Sequence, residues 1–94
     1  MKKTGYSNVF DALEDDPAVA ENLKIRAQLM HELRDYIGNR GLTQTRAAEL
    51  FGVDQPRVSD LVRGKIDRFT IDMLVSMLTK ISKHVDVQVT DYAA

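Results

Sequence analysis

The sequence predicts an all-α domain of four to five helices followed by one short C-terminal β-strand. Three observations predict it. Apolar residues recur at spacings of three and four in separate segments between residues 17 and 81, the period of helices with one buried face. Capping side chains precede these segments and glycines close most of them, at Gly41, Gly52 and Gly64, as helix ends require. After residue 83 the apolar period changes to two, which is that of a half-buried strand.

Taken in order, residues 1–16 form an arm that mixes Gly5, Ser7 and Asn8 with acids around Val9, Phe10 and Leu13. So little apolar surface cannot order a segment alone, so the arm is expected to be flexible. Residues 17–83 form the helical domain. Asp16-Pro17 reads as an N-cap with proline at the first helical position. The helix behind it aligns Leu23, Ala27, Met30, Leu33 and Ile37 and stops at Gly41.

Thr43 caps the next helix, which turns Ala47, Leu50 and Phe51 inward and ends at Gly52. The third starts at Asp54 or Gln55, turns Val58, Leu61 and Val62 inward and ends at Gly64. Asp54 as N-cap sets Pro56 second in the helix, and Gln55 as N-cap sets it first; both placements suit proline. Helices this short are unstable in isolation and must be packed against the others. Thr70 caps a fourth helix whose stripe is Ile71, Leu74, Val75, Leu78 and Ile81. Residues 84–94 are strand and tail, with Val85, Val87 and Val89 alternating with Asp86, Gln88 and Thr90. No second strand is evident, and unpaired strand groups need a partner, so the same strand of a second copy is expected to form a homodimer.

Composition narrows the function. The 94 residues make one small domain, too small for an enzyme with a deep substrate pocket. With no cysteine, disulfides, thiolate nucleophiles and cysteine zinc sites are excluded, and a reducing cytoplasm is the expected location. No apolar run is long enough to span a membrane, and the two N-terminal lysines precede no signal-like run, so no membrane partner is expected. His31 and His84 sit in no triad or metal-ligand spacing, and Glu14-Asp15-Asp16 lacks the spaced oxygens of a calcium loop. No catalytic residue, metal or cofactor is expected.

Charge is segregated along the chain. Residues 1–22 carry two lysines against five acids, net −3, whereas residues 34–68 carry seven basic against five acidic side chains, net +2. Within that basic body, residues 44–63 read as a helix-turn-helix with Gly52 at the corner and small Ala48 where the helices approach. Such a unit offers the first turn of its second helix to the major groove of double-stranded DNA. Proline is harmless there, because first-turn N–H groups have no intrahelical partner. The outward residues are Gln55, Pro56, Arg57, Ser59 and Asp60. Gln suits adenine and Arg suits guanine, while Asp60 either accepts from cytosine or orients a neighbouring arginine. Groups at helix starts and loop ends, namely Thr43, Gln44, Arg63, Lys65 and Arg68, are the expected phosphate contacts.

The segment LTQTRAAELFGVDQPRVSDLVRGKIDRF resembles the XRE/Cro family of phage-repressor-like helix-turn-helix proteins, and within it the small HigA-type antitoxins of toxin–antitoxin modules. The looser likeness runs from Leu23 to Val89. The resemblance implies a lambda-repressor-like bundle, with Gln44 on a phosphate and Gln55, Pro56 and Asp60 at base-touching positions flanked by Arg57 and Ser59. It further implies a repressor that binds its own operator and, when DNA-bound, associates with the nucleoid. The acidic arm then becomes the element that neutralises a small basic RNase toxin, with Val9, Phe10 and Leu13 in an apolar groove and Glu14 among the toxin's charges. A stand-alone phage- or plasmid-type repressor with no toxin would carry the same helix-turn-helix. A protein-binding module that has lost DNA binding would place acids at Gln55 and Arg57, and this chain does not.

Overall fold

A computed structural model describes residues 16–91; the arm residues Val9, Phe10, Leu13 and Glu14 lie outside them. Four helices and one short turn of 3₁₀ helix follow each other in the order α1 (Pro17–Arg40), α2 (Gln44–Phe51), α3 (Gln55–Val62), the 3₁₀ turn (Ile66–Arg68) and α4 (Ile71–Lys80).

The caps act where local chemistry places them. Asp16 Oδ1 accepts from the Ala18 N–H at 3.0 Å, Thr43 Oγ1 from Arg46 at 3.1 Å, and Thr70 Oγ1 from Met73 at 3.2 Å. The choice at α3 falls on Asp54, whose Oδ1 accepts from the Arg57 N–H at 3.0 Å, so Pro56 is the second helical residue. Gly41 closes α1 at φ 58°. Gly52 closes α2 at φ 72°, and the next N–H, that of Val53, donates back to Ala48 O at 3.0 Å.

α1 lies along α4, and the α2–α3 pair packs across both. Phe51, Phe69, Leu33, Leu61, Leu74, Met77 and Val58 are fully buried where these elements meet. Burying that apolar surface is what holds α2 and α3, each only eight residues long, in helical form.

Three features differ from expectation, two of them inward assignments. Ala27 is exposed and Leu29 is buried, because half-buried Arg26 occupies the stripe position between Leu23 and Met30. Its stem can lie along the core while its guanidinium reaches polar groups. Val62 is 40% exposed, since it ends α3 at the rim of an open groove beside Ile37 and Arg34.

The expected strand is the third difference. Among the described residues no strand forms, and 84–91 have no backbone hydrogen bond. Val85 packs against the core edge, while Val87 and Val89 are 83% and 91% exposed. A single chain supplies no second strand to pair with. No helix among the described residues is long and apolar enough to cross a membrane.

Candidate nucleic-acid interface

α3 divides its side chains sharply. Val58 and Leu61 are completely buried and fix the helix against the body. Gln55 and Pro56 are exposed at its start, Ser59 is half-buried one turn on, and Arg63 is exposed beyond its end. With 100° between successive helical residues, Gln55 and Ser59 share one outward line.

The backbone at the start of α3 offers few donors. Pro56 has no N–H, the Arg57 N–H is taken by Asp54, and the Val58 N–H donates to Asp54 O at 3.4 Å. With the Asp54 carboxylate also exposed there, this end suits base edges better than phosphate. α2 differs. Thr43 engages Arg46 through its hydroxyl and Ala47 through its carbonyl, which leaves the Gln44 and Thr45 N–H groups open to an anion. The Gln44 side chain is half-buried and Thr43 is exposed.

Arg57 and Asp60 lie on the flank of α3 that faces the 3₁₀ turn. Arg57 Nη1 donates to Arg68 O at 3.0 Å, and its guanidinium lies 5.6 Å from the Phe69 ring centroid. Arg68 Nη1 reaches Asp60 Oδ2 at 3.5 Å, with the Asp60 side chain only 16% exposed. Three expected site residues are therefore linked through Arg68, whose carbonyl accepts from Arg57 and whose guanidinium meets Asp60. Arg63 and Lys65 have no acidic partner within 4.0 Å among the described residues, whereas Arg46 is engaged by Glu49 at 3.0 Å.

Arg26, which the sequence does not mark as a site residue, belongs to the same arrangement. Its Nη1 donates to Ile66 O at 3.1 Å and Phe69 O at 3.3 Å, while Nε donates to Asn22 Oδ1 at 2.6 Å. Arginines from α1 and α3 thus hold the carbonyls of one short turn and fix the backbone that carries Lys65 and Arg68. The sequence signal was an arginine in step with Leu23, Met30 and Leu33 on an otherwise apolar stripe. Among the described residues no group of three or more His, Cys, Asp or Glu could hold a metal ion.

Comparison with known proteins agrees with this fold. A solved structure carrying a candidate designation as an XRE family transcriptional regulator is similar to the chain, with a TM-score of 0.70 and 28% identity over 77% of this chain and 81% of that one. No curated protein shows significant sequence similarity. The architecture is that of an XRE-like helix-turn-helix protein. Residues 12–90 match the family described as helix-turn-helix domain, and the chain belongs to that family.

Proposed function

We propose that this protein is a sequence-specific DNA-binding transcription regulator that reads the major groove with α3. The carrying observation is the division of α3, with Val58 and Leu61 wholly buried while Gln55 and Pro56 stand clear of the body. In this reading Gln55, Pro56 and Ser59 face the bases, Arg57 and Asp60 reach them from the flank beside the 3₁₀ turn, and Thr43, Gln44, Arg63, Lys65 and Arg68 meet phosphates. Two copies joined through Val85, Val87 and Val89 set their α3 helices about 34 Å apart in successive grooves. Occupancy of a promoter, its own included, represses transcription by blocking it. The test is selection from random-sequence duplexes of about 30 base pairs, long enough for two half-sites one turn apart. Enrichment of a palindromic motif is expected; binding without enrichment would reduce the protein to a non-specific binder.

Charge segregation favours a second role on the same chain. Residues 1–22 carry net −3, and the apolar Val9, Phe10 and Leu13 with Glu14 suit a groove on a basic RNase toxin, which makes the protein an antitoxin. Co-purification with the product of the neighbouring reading frame tests it, using the full chain beside a version lacking residues 1–15. A small basic protein captured by the full chain and lost on truncation supports the antitoxin role. Capture of nothing leaves a stand-alone repressor.

A further inference from the structure

The segment from Lys83 to Asp91 leaves the helical body with one backbone tie, from the Lys83 N–H to Leu78 O at 2.9 Å. His84 Nε2 and Asp86 Oδ1 meet at 2.9 Å, two residues apart on one side of the chain, as extended backbone arranges them. Val85, Val87 and Val89 belong to the alternate positions. The core edge lies under Val85, and nothing among the described residues covers Val87 or Val89. Beside Val85 opens a crevice of about 220 Å³ with Leu29 and Leu78 in its wall.

We infer that the occupant of this segment is the same segment of a second copy, running antiparallel and centred on Val87. The inference rests on the two-fold dimer proposed above and specifies its register. Side-chain chemistry selects among the pairings. A parallel, in-register pair sets Asp86 beside Asp86 and Asp91 beside Asp91, like charges side by side. Any antiparallel pair centred between two residues turns valines toward polar side chains, because a one-residue slip reverses the faces. Centring on Gln88 sets Val85 against Asp91, and centring on Asp86 sets Val89 against Lys83.

Centring on Val87 removes every such conflict. Val85 of each copy faces Val89 of the other, and Lys83 faces Asp91, an opposite-charge pair made twice by symmetry. On the reverse side Asp86 faces Gln88 and His84 faces Thr90. Two paired strands alone are marginal in water. Here the incoming Val89 stands about 5 Å from Val85, over the crevice between Leu29 and Leu78, so the partner also completes the edge of the core.

The chain contains no cysteine, so single cysteines report the register. V87C is expected to cross-link to itself under mild oxidation. V85C and V89C alone are expected to self-link poorly, because their like positions lie about 13 Å apart along the pair, beyond disulfide reach. V85C mixed with V89C is expected to link. Val87 and Val89 are exposed in the single chain, so those two changes leave the fold intact. K83D is expected to raise the dimer dissociation constant several-fold, and K83D/D91K to restore it. Preferential self-linking of V85C or V89C overturns the register and keeps the dimer. Wild-type protein that sediments as a monomer at its highest soluble concentration overturns the dimer itself. A dimer in which none of the three positions links overturns the use of this segment.

Discussion

Arg57 donates to the backbone carbonyl of Arg68 at 3.0 Å, eleven residues further along the chain. The bond ties the flank of α3 to the 3₁₀ turn, so the helix proposed to enter the groove and the turn proposed to hold phosphate move as one piece. Arg57→Ala is expected to lower operator affinity by about 1–3 kcal/mol. A gel-shift titration checks it with the selected motif and a scrambled duplex. A loss confined to the selected motif marks Arg57 as a base reader, an equal loss on both marks it as a strut, and no loss removes it from the interface.

Asp60 holds Arg68 at 3.5 Å, so in the proposed interface it competes with phosphate for that arginine. Asp60→Asn removes the competing charge and keeps the shape. The salt dependence of DNA binding is then expected to steepen by about 0.9 in log K against log salt, one additional phosphate contact. An unchanged slope would mean that Asp60 withholds no phosphate contact from Arg68.

Arg26→Met keeps an unbranched stem in the α1 stripe and deletes the donors to Ile66 O and Phe69 O. Ile66 O keeps the Phe69 N–H at 3.2 Å, so the loss falls on Phe69 O, and leaving that part-buried carbonyl unpaired is expected to cost about 1–3 kcal/mol, read as a lower thermal midpoint. The same variant is expected to bind DNA with a shallower salt slope, because Lys65 and Arg68 lose their fixed backbone. Unaltered melting and slope would show that water replaces the guanidinium without consequence.

Gly52 holds φ 72° at the corner between α2 and α3, and a Cβ added there would sit 3.3 Å from Lys80 Cε. The side-chain end can shift, but the left-handed backbone remains unfavourable for alanine. Gly52→Ala is expected to destabilise by about 1–2 kcal/mol. In a domain of this size that lowers the midpoint by about 4–8 °C per kcal/mol, and calorimetry measures it directly. A midpoint equal to wild type would place no strain at this corner.

The parts of the fold legible in the sequence are those decided within a few residues. Asp16, Thr43 and Thr70 cap their helices because a short side-chain oxygen reaches an N–H two or three residues on, and Gly41 and Gly52 close theirs because they adopt positive φ. The tie between Asp54 and Gln55 was also local, and the carboxylate at Asp54 takes it by reaching the Arg57 N–H. What the sequence hid depends on the path of the chain elsewhere. Arg26 displaces Ala27 from the stripe because carbonyls 40 and 43 residues away lie within its reach. Asp60 pairs not with an arginine next to it in sequence but with Arg68, because the turn after α3 brings Arg68 back. The alternation at Val85, Val87 and Val89 was legible, but a strand needs a neighbour that one chain does not contain.

The division of labour along α3 has a consequence for how such a protein changes over generations. Val58 and Leu61 bury one side of the helix and Arg57 and Asp60 tie its flank to the 3₁₀ turn, whereas Gln55, Pro56 and Ser59 are no part of the hydrophobic core. Substitutions at Gln55 and Ser59 therefore leave stability nearly untouched, and replacing Pro56 costs only the restraint that proline puts on the unfolded chain, about 0.4–1 kcal/mol. If the outward face of α3 reads DNA as proposed, a lineage carrying this body can exchange one target sequence for another through a few changes, each intermediate remaining folded.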